Sequence, residues 1–482
     1  MRKTEIKKRL LCGLLGMAAA VSLTACAAQE ALQQTEAGKG AIEAMEPEEA
    51  VSLSFDIIGG SDVMPIMGFY GPTPAEYSWN ANALPDLYSD EVYELIKETG
   101  INIIGPSMSN YATVPQYSEQ LLSQADKYGL GAILMDKRYL DPELSVEQTD
   151  SYISDYANHK SFLGAYLVDE PGTQYYRDHE NGTNIDEFKE IAANLNELDY
   201  FFYGNLLGME GKTFYSASDT DTYYRYVREW VDTVHPKTLM YDRYIFGNNK
   251  GLDLAKTYFK NMEIIRKVAE EENIPFWVFV EAGNQWNDAK NRFDSEEYYP
   301  SQGEFYWNIG TLLAFGAKGV MYFPLIQPYY FAYAQTELFD FQRNGLIGAW
   351  NNKTRWFSYA QAMNAQVAAV DEVLMNSVNK GVIASGEAAS EDLSDCEYLM
   401  EGTAWRELTG VKGDAMIGCF NYQGKTALYV VNYDIEYAQK ITLSFSDIYN
   451  MSVVQDAETS YVNTDSLELT LQTGDSALVV IG

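Results

Sequence analysis

The chain has 482 residues, with 34 Lys and Arg against 69 Asp and Glu, a net charge of −35. So acidic a surface repels phosphate backbones and anionic lipid headgroups, which excludes nucleic-acid binding by counterion release. Hydrophobic residues at 46% exclude disorder for most of the chain, and the length predicts two or three domains, or one large barrel with an appendage.

The charge is uneven from the start. Arg2, Lys3, Lys7, Lys8 and Arg9 face a single acid, Glu5, within the first 25 residues, and the remainder stands at −39. Leu10 to Leu23 is apolar but too short to span a bilayer comfortably, so residues 1–25 read as a secretory signal. The segment Leu23-Thr24-Ala25-Cys26 resembles the lipobox of bacterial lipoproteins. That resemblance implies that Cys26 takes a lipid and becomes the new N-terminus. The protein is then anchored at the cell surface, on the outer face of a bacterial membrane, and touches the membrane only through that lipid. Residues 26–52 read as the lipidated Cys and a flexible tether, since 27–50 lack aromatics and are rich in Ala, Glu and Gln. Cys12 leaves with the signal. Cys396 and Cys419 remain, and either a disulfide or two buried thiols fits them.

Residues 53–378 predict a (β/α)8 barrel. Apolar, β-branched or aromatic runs recur at Pro65–Pro72, Asn102–Ser107, Gly131–Asp136, Leu163–Asp169, Tyr200–Leu206, Thr238–Tyr244, Pro275–Glu281 and Gly319–Leu325. Helical spacing lies between them, for example over Glu91–Thr99, Glu119–Tyr128, Val146–Tyr156, Ile185–Leu198, Thr222–Val234, Leu254–Glu271 and Glu304–Phe315. Near-continuous apolar strands alternating with helices indicate a parallel sheet covered on both faces, and eight such units match a closed barrel. A long helix over Ser358–Val373 follows. Residues 379–482 then show short runs at Lys425–Tyr433, Lys440–Phe445, Ser466–Leu471 and Ser476–Ile481, with no helical stretch between them. They predict an antiparallel β-sandwich.

Chemistry in such a barrel sits where the strands end. Polar groups expected there are Tyr70, Asp136, Asp169, Glu170, Asn205, Asp242, Tyr244, Glu281 and Tyr322. Acids and amides bind hydroxyls, and aromatic rings cover the apolar faces of sugars, so the set suits an oligo- or polysaccharide. Trp79, Asn82, Gln285, Trp286 and Gln327 are candidate subsite contacts on the loops.

The sharpest motif is Gly164-Ala165-Tyr166-Leu167-Val168-Asp169-Glu170-Pro171-Gly172, an apolar strand that ends in Asp-Glu and stops at Pro-Gly. The seventh run supplies a second carboxylate in Phe279-Val280-Glu281-Ala282-Gly283. Here the chain resembles the retaining glycoside hydrolases of the clan with a (β/α)8 barrel and two catalytic glutamates at the ends of strands four and seven. The resemblance covers roughly residues 60–375. It implies Glu170 as acid/base and Glu281 as nucleophile, with carboxyls about 5–5.5 Å apart. Asp169 stands where that clan typically has Asn, and a like charge there raises the pKa of Glu170. The Asp-Glu pair also resembles that of hexosaminidases using substrate-assisted catalysis. In that reading Asp169 orients the acetamido group, Glu170 is the acid and Glu281 only binds. A non-catalytic carbohydrate-binding lipoprotein is the alternative from another class.

Nothing calls for a cofactor. His159, His179 and His235 show no metal-ligand spacing, no Gly-x-Ser-x-Gly elbow has a plausible triad, and no phosphate loop is present. Asp294-Ser295-Glu296-Glu297 reads as a solvated loop, and the chain is expected to be a monomer.

Overall fold

The computed structural model describes residues 45–72, 88–106, 115–172, 184–209, 220–246, 255–283, 286–287, 292–293, 300–326, 345–348 and 350–482. Eight parallel strands close into a barrel. They are β1 (Ile66–Gly68), β2 (Ile103–Ile104), β3 (Gly131–Leu134), β4 (Phe162–Asp169), β5 (Phe201–Leu206), β6 (Leu239–Tyr241), β7 (Phe276–Glu281) and β10 (Val320–Phe323). A short hairpin of β8 (Trp286–Asn287) and β9 (Arg292–Phe293) follows β7. Each of the eight apolar runs holds one barrel strand.

The helices are α1 (Asp90–Glu98), α2 (Pro115–Tyr128), α3 (Val146–Ile153), α4 (Lys189–Glu197), α5 (Thr220–Val234), α6 (Ala255–Glu272), α7 (Gln302–Ala314) and α8 (Arg355–Met375). Local signals start several of them. Ser145 accepts from the Gln148 amide and Ser301 from the Glu304 amide, each in a reciprocal capping box. Ile185–Phe188 is a 3-10 turn rather than part of α4.

Strand residues alternate between two cores. Met67, Phe69, Ile103, Ile133, Tyr166, Phe201, Tyr203, Met240, Trp277, Phe279 and Met321 fill the barrel interior. Their neighbours Ile104, Leu134, Phe202, Tyr241, Val278, Val280 and Tyr322 pack outward against the helices. The bottom is closed by the segment before β1, where the Phe55 ring meets Phe201 edge-on at 5.3 Å. Gly164 on β4 allows the tightest strand approach. A Cβ there would lie 2.0 Å from the Phe201 carbonyl oxygen on β5, and backbone cannot yield as a side-chain tip can. Gly164→Ala is expected to lower stability by about 3 kcal/mol, read as a fall in the denaturant midpoint. An unchanged midpoint would contradict this packing.

The tail forms one seven-stranded antiparallel sheet folded over its own core. Its strands are β11 (Ser377–Ser385), β12 (Leu408–Lys412), β13 (Ala415–Tyr422), β14 (Lys425–Asn432), β15 (Gln439–Gln455), β16 (Glu458–Leu471) and β17 (Ser476–Ile481). β15 makes the fold-over: residues 442–445 pair with β12, residues 451–455 pair with β17, and its register with β16 shifts between them. The sandwich prediction holds, with an addition. No helix lies between the four runs, as expected, but three further strands, β11, β12 and β13, precede them, with a helix, α9 (Glu387–Asp392), between β11 and β12. Cys396 and Cys419 are free thiols.

The two parts are bonded together. The Arg266 guanidinium on α6 donates to the Asn379 side chain at 2.6 Å and to its carbonyl at 3.0 Å. The Lys318 ammonium donates to the Ser377 carbonyl at 2.6 Å. Among the described residues no helix is long and apolar enough to cross a membrane.

Candidate active site

Alternation carries four polar side chains inward at the C-terminal ends of adjacent strands. On β5, Phe201 and Tyr203 face the interior, so Asn205 does too. On β6, Met240 faces in, which turns Asp242, one residue past the strand, to the same side. On β7, Trp277 and Phe279 face in, and Glu281 follows them. β4 reaches this layer by a different route. Tyr166 pairs with Tyr203 and Asp169 with Asn205, three steps on β4 against two on β5. This bulge sends both Leu167 and Val168 outward and re-aims Asp169 inward.

Asn205 fixes the first contact: its Nδ2 donates to Asp169 Oδ1 at 3.1 Å. Glu170 follows with φ +47°, a left-handed conformation that costs a non-glycine residue of order 1–3 kcal/mol. It is held by its amide, which donates to the Asn205 carbonyl at 2.9 Å. The carboxyls of Asp169, Glu170 and Asp242 thus crowd together, and among the described residues none of the three makes an ion pair. Asp169 keeps an open face toward the mouth and is enclosed by protein elsewhere; that enclosure raises its pKa. Burial, then the neighbouring charges of Asp242 and Asp169, push Glu170 up to about 10. Burial and the charge of Asp169 push Asp242 up to about 7. An acid kept protonated beside one that ionises is the pairing that general acid/base chemistry needs.

Glu281 is 2% exposed and its Oε2 accepts from the Phe246 amide at 3.2 Å. Tyr244 links the two sides of the mouth. Burial raises its hydroxyl well above the ordinary value, and the charges of Asp242, Asp169, Glu170 and Glu281 add to that. Its ring packs on Phe323 at 5.6 Å, and Tyr70 packs on the same ring at 5.4 Å. Tyr70 has φ +60°, a second left-handed residue at a strand end. Phe323 is therefore a shared aromatic wall that the sequence reading missed. Its inward parity with Met321 is the signal that would have found it.

Two expected contacts do not belong to this cluster. Asp136 has a fully buried side chain and no oxygen to offer a ligand. One oxygen accepts from the Arg138 amide, and the other from the Arg138 guanidinium at 2.7 and 2.9 Å and the Tyr156 hydroxyl at 2.6 Å. It caps the 3-10 turn Lys137–Leu140. Tyr322 faces outward, stacked on Phe305 and donating to Asn364 Oδ1 at 2.6 Å. Its neighbour Met321 holds the inward position. Trp79, Asn82, Gln285 and Gln327, the side chain of Trp286, and the run Asp294–Glu297 lie outside the described residues.

A cleft of about 700 Å3 runs from Asp169 and Glu170 past Lys137, Leu140, Phe188 and Glu190. It places open volume directly beside the Glu170 carboxyl. Among the described residues no three His, Cys, Asp or Glu could hold a metal ion.

No family model matches the chain, and no curated protein sequence matches it. Solved structures share the architecture at low identity. An endoxylanase of family GH30 from Clostridium papyrosolvens is 10% identical, covering 90% of this chain and 97% of its own, with a TM-score of 0.44. A family 51 alpha-L-arabinofuranosidase from Bifidobacterium longum is 10% identical over 91% and 100%, at 0.43. An exo-beta-1,4-mannosidase from an Opitutaceae bacterium is 13% identical over 68% and 63%, at 0.45. Likeness of this degree carries no argument about activity, which rests on the residues.

Proposed function

We propose that the chain is a glycoside hydrolase that cleaves O-glycosidic bonds of an extracellular glycan with retention of configuration. The observation that carries the reading is the inward convergence of Asp169, Asn205, Asp242 and Glu281 on one mouth, with Glu170 beside Asp169 and Asp242. Glu170 is the acid/base: its raised pKa keeps a proton ready for the leaving oxygen at neutral pH, and it then takes a proton from water. Glu281 is the nucleophile that attacks the anomeric carbon. The Tyr70, Tyr244 and Phe323 rings supply flat surfaces against which a sugar ring can lie. No step draws on a cofactor. The test is a glycan-library screen with product stereochemistry read by NMR. First-formed product of inverted configuration would overturn the retaining assignment, and absence of turnover on every glycan would overturn the hydrolase.

The second reading, substrate-assisted catalysis by Asp169 and Glu170, has one observation in its favour. Asn205 holds Asp169 at 3.1 Å, as a residue that must orient a substrate group would be held. It requires an N-acetylated sugar and leaves Glu281 without a chemical role.

We also propose that the mature protein begins at Cys26 and is held by lipid there. The Leu23-Thr24-Ala25-Cys26 segment after a short apolar stretch supports this. Cys26→Ser is expected to abolish labelling by a radioactive fatty acid and to release the protein from membranes. Retained label would exclude the site.

A further inference from the structure

A cluster of titratable groups lies at the foot of β4, at the opposite end of the strand from Asp169 and Glu170. His159 sits in the turn between α3 and β4. Its Nδ1 is 2.7 Å from Asp126 Oδ2 and its Nε2 is 2.9 Å from Glu119 Oε1, both acids being on α2. A carboxylate only accepts, and a neutral imidazole has a single N–H. Both contacts together therefore need the doubly protonated ring. The two acids are not held alike. Asp126 Oδ1 also accepts from the Ser161 amide at 2.8 Å, and the Ser161 hydroxyl donates to the Leu122 carbonyl of α2 at 3.0 Å. Ser161 is fully buried, and its carbonyl accepts from the Ala132 amide of β3 at 2.7 Å. Asp126 is thus built into the lead-in of β4. The Glu119 side chain is 55% exposed and bonds only the ring among the described residues. On the turn itself, Asp155 is engaged with Arg138 at 3.0 Å and Lys160 is exposed. Neither bonds the imidazole, and the trio is not a metal site.

We infer that His159 is a proton-operated clamp on the foot of the strand that carries Asp169 and Glu170: protonated, it ties β4 to α2 through both acids, and on losing its proton it keeps Asp126 and releases Glu119. The inference is independent of what the mouth binds. The order of release follows from the surroundings. A neutral ring can donate to one acid only, and the other then faces a lone pair. Asp126 is fixed by Ser161 and cannot turn away, whereas Glu119 can swing into water. The proton that stays is therefore on Nδ1, and the one that leaves comes from Nε2. Burial alone lowers the pKa of this ring, but the bonds and charges of Glu119 and Asp126 outweigh it, and the net direction is upward from 6.5. A histidine raised above its unfolded value contributes stability that is complete below that value and is lost as the pH rises through the folded one. The clamp is thus closed in mildly acidic surroundings and half open in alkaline ones.

Long-range proton–nitrogen NMR of the full chain, carrying 15N only in its histidine rings, tests this. The chain has three histidines, and His159→Gln identifies the signal. The His159 ring is expected to titrate at a higher pH in the folded chain than in the same chain unfolded in urea. Its alkaline form is expected to carry the proton on Nδ1 and leave Nε2 bare. Glu119→Gln, a change at an exposed side chain, is expected to bring the transition down and leave the alkaline tautomer as it is. Asp126→Asn is expected to lower the transition as well and to shift the alkaline proton toward Nε2. Stability gives a second reading. The thermal midpoint of Glu119→Gln is expected to lie about 1 °C under that of the parent below the unfolded value of about 6.5, the scale of one partly exposed ion pair in a chain of this size. That gap is expected to close as the pH rises through the His159 transition. Titration at or below the value in urea overturns the inference, as does an alkaline Nε2–H tautomer in the parent. A midpoint gap that is absent, or the same at every pH, overturns it too. Where Asp126→Asn does not fold, the parent and Glu119→Gln decide the outcome alone.

Discussion

Glu170→Gln is expected to lower kcat/KM by about a thousandfold on the cognate glycan while leaving its Kd within a few-fold. A positioned general acid contributes roughly 10²–10⁴ in rate, and glutamine keeps the size and hydrogen-bonding reach of the side chain without the transferable proton. The loss should be smallest for aryl glycosides whose leaving group departs unaided. Unfolding is a poor explanation in advance. A carboxyl whose folded pKa is raised above its unfolded value costs stability once the pH exceeds that unfolded value. Glu170, raised from 4.5 to about 10, is therefore a burden on the fold at neutral pH, and its replacement by a neutral amide is expected to hold or raise the thermal midpoint. The pH profile gives the sign independently. Activity of the parent falls as the pH rises through the Glu170 value. After burial, the largest cause of that value is the charge of Asp242, so Asp242→Asn is expected to move the alkaline limb to lower pH. Full activity in Glu170→Gln would remove Glu170 from the chemistry.

How far the sequence could be read depends on which residues are considered. The barrel strands were legible because both faces are buried, which leaves unbroken runs such as Phe276–Glu281. The direction of each side chain was less so. Tyr322 was placed at the mouth because it ends a strand, yet a single step of parity gives that place to Met321 and Phe323. Asp169 shows the opposite difficulty. Plain alternation from Tyr166 would turn it outward, and only the bulge against β5 brings it in. Asp136 does end a strand, but its oxygens are taken up by the turn it caps, through Arg138 two residues on, and by Tyr156, 20 residues away, on a contact no local pattern reveals. In the tail, the apolar run Lys440–Phe445 marks only the first part of its strand. The chain instead bends there and continues as one strand to Gln455. Strands were found by composition, and faces were missed wherever a bulge, bend or distant partner reset the count.

The same counting of faces makes Glu281 the decisive residue between the two mechanisms. It lies inward with Trp277 and Phe279, level with Phe323 on β10, and its carboxylate faces Tyr244. If it is the nucleophile, Glu281→Ala is expected to lower kcat by about 10³-fold or more, as loss of a covalent catalyst does. Added azide should then restore turnover. Its nitrogen forms the bond to the anomeric carbon on the face Glu281 vacated, the glycosidic C–O bond breaks, and Glu170 gives its proton to the departing oxygen. The product is a glycosyl azide of inverted configuration, because only one displacement has occurred. If the acetamido group of the substrate is the nucleophile, Glu281→Ala loses binding through KM, keeps kcat within about tenfold, and azide changes nothing. Stability must be followed in parallel, because truncation leaves the Phe246 amide without its acceptor, a cost of about 1–3 kcal/mol. Glu281→Gln keeps that acceptor and still cannot attack. Equal loss of kcat in the Gln and Ala variants, with azide rescue confined to Ala where space has opened, would assign the nucleophile to Glu281 by chemistry rather than by position.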